Sequence, residues 1–346
     1  MVPSHLVADL KARRTPAVAR AISLVENARP GFEELLSTIH STLGHAQRIG
    51  ITGPPGAGKS TLTGQLVQAL RARGLTVAVV AVDPTSPFTG GAVLGDRIRM
   101  ESVALDPGVF IRSMATRGSL GGLATTTREV CDVLDAGGFD RILIETVGVG
   151  QSELDVAQSA DSTVLVLVPE SGDGIQTLKS GVMEIGDIFV VNKADRPGAD
   201  RLRQEIEITL GIRSGTTFRH VRPHHGARST DEGRVAEPAS RRAVEWKHPV
   251  LATVAARGEG TVELVTALDL HHEYLTASGE LIERRRRRMY QRTREVVNRA
   301  TRQWIWQETG AEQVIRDRMD DVVAGRLSPY EVAAEVLDAL KQGSRV

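Results

Sequence analysis

The run Gly53-Pro54-Pro55-Gly56-Ala57-Gly58-Lys59-Ser60 has the G-x-x-x-x-G-K-S spacing of a phosphate-binding loop. Glycines let the backbone N–H groups of such a loop turn inward around phosphate oxygens, and the helix that follows adds partial positive charge at its N-terminus. In this arrangement Lys59 reaches the β- and γ-phosphates, and the Ser60 hydroxyl ligates Mg²⁺. The flanks are the ones the motif requires: an apolar strand, Arg48–Thr52, before it and a helix over 61–72 after it.

Asn192-Lys193-Ala194-Asp195 closes a second apolar strand, Ile188–Asn192. The N-K-x-D pattern suits guanine. A carboxylate at Asp195 accepts from N1–H and the N2 amine, a donor pair that adenine lacks. Asn192 is expected on the O6/N7 side, with the Lys193 stem over the ring. Glu145-Thr146-Val147-Gly148 follows the strand core Arg141–Ile144, where D-x-x-G is usual. There the acid turns toward Mg²⁺ and the glycine N–H toward the γ-phosphate; here the acid is Glu. Asp83 and Asp96 bracket a Gly/Pro/Thr-rich loop. Two such acids suit Mg²⁺ coordination that changes with nucleotide state. The competing reading of Asp83 is a turn cap before Pro84. No glutamine stands where Ras-like enzymes use one to orient water. Gln151, three residues past Gly148, is the candidate.

These residues need a scaffold that brings several strand ends to one edge. Short β-rich runs at Arg48–Thr52, Thr76–Val82, Val109–Arg112, Arg141–Thr146, Ser162–Val168 and Ile188–Asn192 alternate with helix-length segments, and strand character returns at Pro249–Val254. Such alternation predicts an α/β fold, a P-loop NTPase with a mostly parallel central sheet flanked by helices. Residues 1–45 read as an N-terminal helical extension, 46–262 as the nucleotide domain and 263–346 as C-terminal helices. Residues 212–247 are polar and without period, and read as a surface loop. Their histidines 220, 224 and 225 read as solvated rather than metal-binding. Glu283 and the five arginines 284–288 read as a solvated helix face, with a nucleic-acid patch as the sharper alternative. Ser328, Pro329 and Glu331 have the form of a helix N-terminal capping box.

Composition removes several classes. The 346 residues carry 43 basic and 43 acidic side chains, which argues against a nucleic-acid coat or a polybasic membrane binder. One cysteine, Cys131, excludes an internal disulfide. No apolar run approaches the ~20 residues that span a bilayer, and the first residues lack a signal-peptide core. The expectation is a cytoplasmic protein with a protein partner. Only six of the basic residues are lysines, and three of those, Lys59, Lys179 and Lys193, lie in the segments above or in the switch segment named next. A compact ammonium suits a phosphate slot better than a planar guanidinium does.

The segments GPPGAGKST, VDPTSPFTGGAVLGDRIRM, RSMATRGSLGGLA, ETVGVGQSE, DGIQTLKSG and NKAD resemble the MeaB/ArgK-type GTPases, from about residue 5 to 340. These are methylmalonyl-CoA-mutase-associated G proteins of the SIMIBI class, with a human mitochondrial counterpart linked to methylmalonic aciduria. The resemblance implies GTP/GDP and Mg²⁺ as ligands, a homodimer through the C-terminal helices, and an adenosylcobalamin-dependent acyl-CoA mutase as partner. It implies no nucleic-acid or membrane partner. It makes Gly53 through Thr61 the phosphate contacts, Asp83 and Asp96 acids of a first switch, Glu145 the acid of a second, and Lys179 part of a third. With Gln151 these supply the expected catalytic set Lys59, Asp83, Glu145, Gln151 and Lys179. Ser60, Asp83, Asp96 and Glu145 are the expected metal set. Asn192, Lys193 and Asp195 match the guanine site, and Ala255 its second loop, where the usual Ser-Ala-x is replaced by Thr253-Val254-Ala255-Ala256. The 212–247 segment departs from the family, in which the chain returns to the last strand more directly. The implied role is a molecular chaperone with slow intrinsic GTP hydrolysis that the partner accelerates. Rival readings are a kinase component of a lysine/arginine/ornithine transport system, a metal-insertion GTPase, and a nucleotide-dependent scaffold.

Overall fold

The computed structural model describes residues 4–83, 101–115, 122–146, 152–169, 182–213 and 245–341. Seven strands form one sheet in the order β3-β2-β4-β1-β5-β6-β7. They are β1 (Gln47–Thr52), β2 (Val77–Asp83), β3 (Val109–Ala115), β4 (Arg141–Thr146), β5 (Ser162–Leu167), β6 (Ile188–Asn192) and β7 (Val250–Thr253). Every pairing is parallel. Sheets of this kind are covered on both faces, which explains why β1, β5 and β6 are buried at every position. β3 runs three residues past its expected end because Arg112 through Ala115 stay in register with Val80 through Asp83 of β2.

Side-chain alternation divides the core. Ile49, Ile51, Val77, Val79, Leu143, Val164 and Val190 point to one face. There they meet Leu62, Leu66 and Leu70 of α4 (Lys59–Ala72) and Leu264 and Leu268 of a helix from Thr261 to Ser278. Ala78, Val80, Val82, Ile142 and Ile144 point to the other face, against Val130 and Leu134 of a helix from Gly122 to Ala136. The N-terminal helices α1 (Ser4–Lys11), α2 (Thr15–Glu26) and α3 (Phe32–Ile39) join this second core through Leu10, Val18, Ile22, Leu35 and Ile39. Each such side chain, fully buried, stabilises the fold by about 1.5–3 kcal/mol. Longer helices that follow α4 include α5 (Gly122–Ala136), α6 (Ser152–Ser159), α7 (Ala199–Arg213), α8 (Thr261–Ser278) and α9 (Glu280–Gln303).

The chain forms two compact units, 1–285 and 286–346. α8, grouped by sequence with the C-terminal helices, belongs to the core of the first unit. The amino edge of the sheet carries two buried acids, Asp161 just before β5 and Asp187 just before β6. Arg285 donates to both oxygens of Asp161 (3.2 and 2.9 Å) and to the carbonyls of Gly44 and Ala46. Arg284 grips Asp187 through two nitrogens (3.0 and 2.9 Å). This corrects the reading of the arginine run as a solvated face: its first two members fasten the start of α9 to the sheet. The supposed surface loop is also anchored at its ends. Residues 212 and 213 finish α7. Trp246 Nε1 donates to the Asp187 carbonyl at 2.9 Å, and its ring lies 4.6 Å from that of His271. Residues 214–244, with their three histidines, lie outside the described residues.

The second unit contains α10 (Ala311–Val323) and α11 (Pro329–Lys341). The capping box is present: Ser328 N–H donates to Glu331 Oε2 at 2.7 Å, and Glu331 N–H returns to Ser328 Oγ at 3.2 Å. Those bonds hold the Glu331 carboxyl below its ordinary pKa. Arg318 of α10 pairs through two nitrogens with Glu335 of α11. Among the described residues no helix is long and apolar enough to cross a membrane.

Candidate nucleotide and metal site

At the carboxyl edge of the sheet, β1 ends at Thr52 and α4 begins at Lys59, so residues 53–58 form the turn between them. Gly53 has φ of +139°, and a Cβ there would stand 2.0 Å from the Val166 carbonyl oxygen. Gly58 has φ of +86°, and a Cβ there would stand 2.4 Å from Asn192 Nδ2. Both positions need glycine for close backbone approach as well as for geometry. The Lys59 side chain folds back over the loop. Its Nζ donates to the carbonyls of Gly53 at 2.8 Å and Pro54 at 2.9 Å, which centres the ammonium inside the loop.

The metal side follows from strand register. Glu145 of β4 lies opposite Ile51 of β1 and Ala81 of β2. Thr146 is therefore beside Thr52, and their hydroxyls are 3.2 Å apart. From this place Glu145 reaches α4, where Ser60 Oγ donates to Glu145 Oε1 at 2.5 Å. A hydroxyl and a carboxylate brought together, both buried, are the hard oxygen donors that suit Mg²⁺. Asp83 ends β2 one step beyond Val82, the partner of Thr146; its side chain is outside the described set. Asp96, Gly148, Gln151 and Lys179 also lie outside the described residues. Among the described residues no group of three or more His, Cys, Asp or Glu side chains forms a metal cluster.

On the base side, Asn192 is held by three neighbours. Its Nδ2 donates to the Ala57 carbonyl at 2.8 Å, and its Oδ1 accepts from Thr253 Oγ1 at 3.0 Å and Ala255 N–H at 3.1 Å. The side chain is 2% exposed at the end of β6. It ties the phosphate loop to the segment after β7 through its oxygen and one Nδ2 hydrogen, and the second Nδ2 hydrogen is the donor that the acceptors O6 and N7 require. Lys193 takes a left-handed turn at φ of +56°, and Ala194 N–H then bonds the Thr253 carbonyl. The turn leaves Asp195 exposed, with Arg257 Nη2 donating to its Oδ2 at 2.9 Å.

Sequence reasoning missed Thr253 as the partner of Asn192, although it singled out the altered loop that contains it. It missed Arg257 altogether, since nothing in an Ala-Ala-Arg-Gly run announces a contact with a residue 62 positions away.

A family model described as methylmalonyl-CoA mutase-associated GTPase MeaB matches residues 18–310. A Pyrococcus abyssi protein named as a GTPase is 47% identical over 294 residues, covering 85% of this chain and 83% of its own. The mitochondrial methylmalonic aciduria type A homolog of Mus musculus is 33% identical over 353 residues, covering 94% of this chain and 76% of that one. A solved structure described as a LAO/AO transport system kinase is similar at a TM-score of 0.67 and 26% identity over 99% of each chain.

Proposed function

The chain belongs to the MeaB family and is a GTPase, and on that premise we propose that it is a nucleotide-driven chaperone of an adenosylcobalamin-dependent acyl-CoA mutase such as methylmalonyl-CoA mutase. The observation that carries the partner assignment is the family match over residues 18–310. The name of the mouse relative, which refers to methylmalonic aciduria, supports it.

In this reading the triphosphate of GTP lies in the loop 53–58. Lys59 exchanges its bonds to the Gly53 and Pro54 carbonyls for β- and γ-phosphate oxygens. Ser60 and Glu145 hold Mg²⁺, joined by Asp83 and Asp96. The ion supplies charge neutralisation at the phosphate oxygens. Gln151 positions the attacking water, and displacement at the γ-phosphate is in line. Asp195 accepts from guanine N1–H and N2, with Lys193 over the ring and Asn192 holding the two loops in register. Gly148 and Lys179 report the state of the γ-phosphate to the partner. The conformational change gates cofactor loading and release in the mutase, and no contact of this chain with cobalamin is required. Assembly is a homodimer through the C-terminal helices, in the cytoplasm.

The test is single-turnover GTP hydrolysis with and without an acyl-CoA mutase from the same source. Acceleration by the mutase is expected, and an unchanged rate overturns the partner assignment. The second reading, a transport-system kinase, is favoured by the description of the similar solved structure. It requires ATP to compete with GTP within a few-fold; strong preference for GTP removes it.

A further inference from the structure

The two loops that frame the base side are joined at their outer rim by one ion pair, Arg257 to Asp195. Arg257 is presented by a hydrogen-bonded turn. Ala255 N–H is held by Asn192 Oδ1, Arg257 N–H bonds the Val254 carbonyl at 2.8 Å, and Val254 N–H bonds the Glu259 carbonyl at 3.1 Å. A second carboxylate, Glu259 Oε1, stands 3.5 Å from Arg257 Nη1. The guanidinium is thus held between two acids and gives Asp195 one nitrogen, at one oxygen. A carboxylate offers about four acceptor positions. A single bond to Oδ2 restrains the Asp195 carboxylate and leaves acceptor positions for a base that donates through two groups.

We propose that Arg257 is a positioning residue for guanine recognition: it orients Asp195 toward N1–H and the N2 amine. The inference rests on the assignment of Asp195 as the guanine-reading acid. Both side chains are about half exposed (55% and 42%), so the expected effect is small and sensitive to salt.

The test uses the full chain with Mg²⁺ and compares affinities for GDP, IDP and ADP. IDP keeps N1–H and lacks the N2 amine, so it reports half of the Asp195 contact. Arg257→Ala is expected to weaken GDP by about two- to five-fold, the scale of an exposed ion pair. It should weaken IDP less and leave ADP unchanged, which narrows the GDP-to-IDP ratio. A purely structural role would lower all three together. Arg257→Lys, which keeps one donor, is expected to restore part of the ratio, and the effect should shrink in high salt. An unchanged ratio in Arg257→Ala, or tighter GDP binding, overturns the proposal. Asp195→Asn separates the two layers of the argument. Preference should move from GDP toward XDP, whose O2 accepts from the new amide. If that shift occurs and Arg257→Ala is silent, the role of Arg257 alone is wrong. If Asp195→Asn leaves guanine preference intact, the base-site assignment fails and the inference fails with it.

Discussion

The Ser60 hydroxyl donates to Glu145 Oε1 across 2.5 Å, joining the first turn of α4 to the end of β4. The strand register places the carboxylate. Glu145 lies opposite Ile51, one residue short of the end of β1, and from there its side chain reaches Ser60.

Ser60→Ala removes one of the two oxygens. GDP affinity in this variant is expected to lose most of its dependence on Mg²⁺, and GTP turnover to fall by about a hundredfold, the scale for losing one group that stabilises transition-state charge. Titrating Mg²⁺ at fixed nucleotide checks the first part. A parent-like Mg²⁺ dependence would remove Ser60 from the metal site.

Asn192→Ala should damage stability and binding together. Asn192 serves Ala57, Thr253 and Ala255 at once, and its loss strands buried groups that each cost about 1–3 kcal/mol when unsatisfied. A drop of roughly 2–4 kcal/mol in urea unfolding is expected, with weakened binding of adenine and guanine nucleotides alike, since the phosphate loop itself is loosened. Selective loss of guanine binding would instead make contact with the base the main role of Asn192.

Much of the fold was legible in the sequence because short β-rich apolar runs alternating with helix-length segments mark a doubly covered sheet. All seven strands stand where their runs were read, with ends displaced by at most three residues. The family resemblance carried by the long motifs is borne out by the matching family model. The phosphate loop was legible because its glycines are dictated by backbone approach, as at Gly53 and Gly58. What escaped were pairings between distant residues. Arg284 and Arg285 have the composition of a solvated helix face, and only the placement of Asp161 and Asp187 at the amino edge of the sheet makes them anchors. The motif at Asn192 points to the base, and the three further bonds that hold its side chain to Ala57, Thr253 and Ala255 are a property of the tertiary fold.

Arg285→Ala tests that anchor. Asp161 is fully buried, and Arg285 is its bidentate partner and also caps two carbonyls. Breaking a buried pair from one side costs about 3–5 kcal/mol; with Arg285 partly in solvent, roughly 2–4 kcal/mol is expected in urea unfolding. Adding Asp161→Asn should recover part of the loss, because the buried charge that Arg285 neutralised is gone. A change below ~0.5 kcal/mol, typical of a surface substitution, would restore the solvated-face reading.

His271 provides a pH dependence. The ring is fully buried, its Nδ1 lies 2.8 Å from Ser162 Oγ, and its Nε2 lies 3.5 Å from Asp187 Oδ1. Burial is the dominant influence and lowers its pKa from 6.5 to about 4, against the opposing pull of Asp187. The ring is therefore neutral at pH 7, and the contact with Asp187 is not an ion pair there. The folded-state value lies below the unfolded one. Well above pH 6.5 the two states carry the same charge and the ring adds no pH dependence. Between 6.5 and about 4 the unfolded chain binds a proton that the folded chain refuses, so stability falls as pH drops through that window. The full shift corresponds to roughly 3 kcal/mol. Urea unfolding at pH 7.5, 6 and 5 should show this decline, and His271→Asn, which keeps a polar atom near Ser162, should flatten it. An equal decline in the variant would assign the acid sensitivity to other groups.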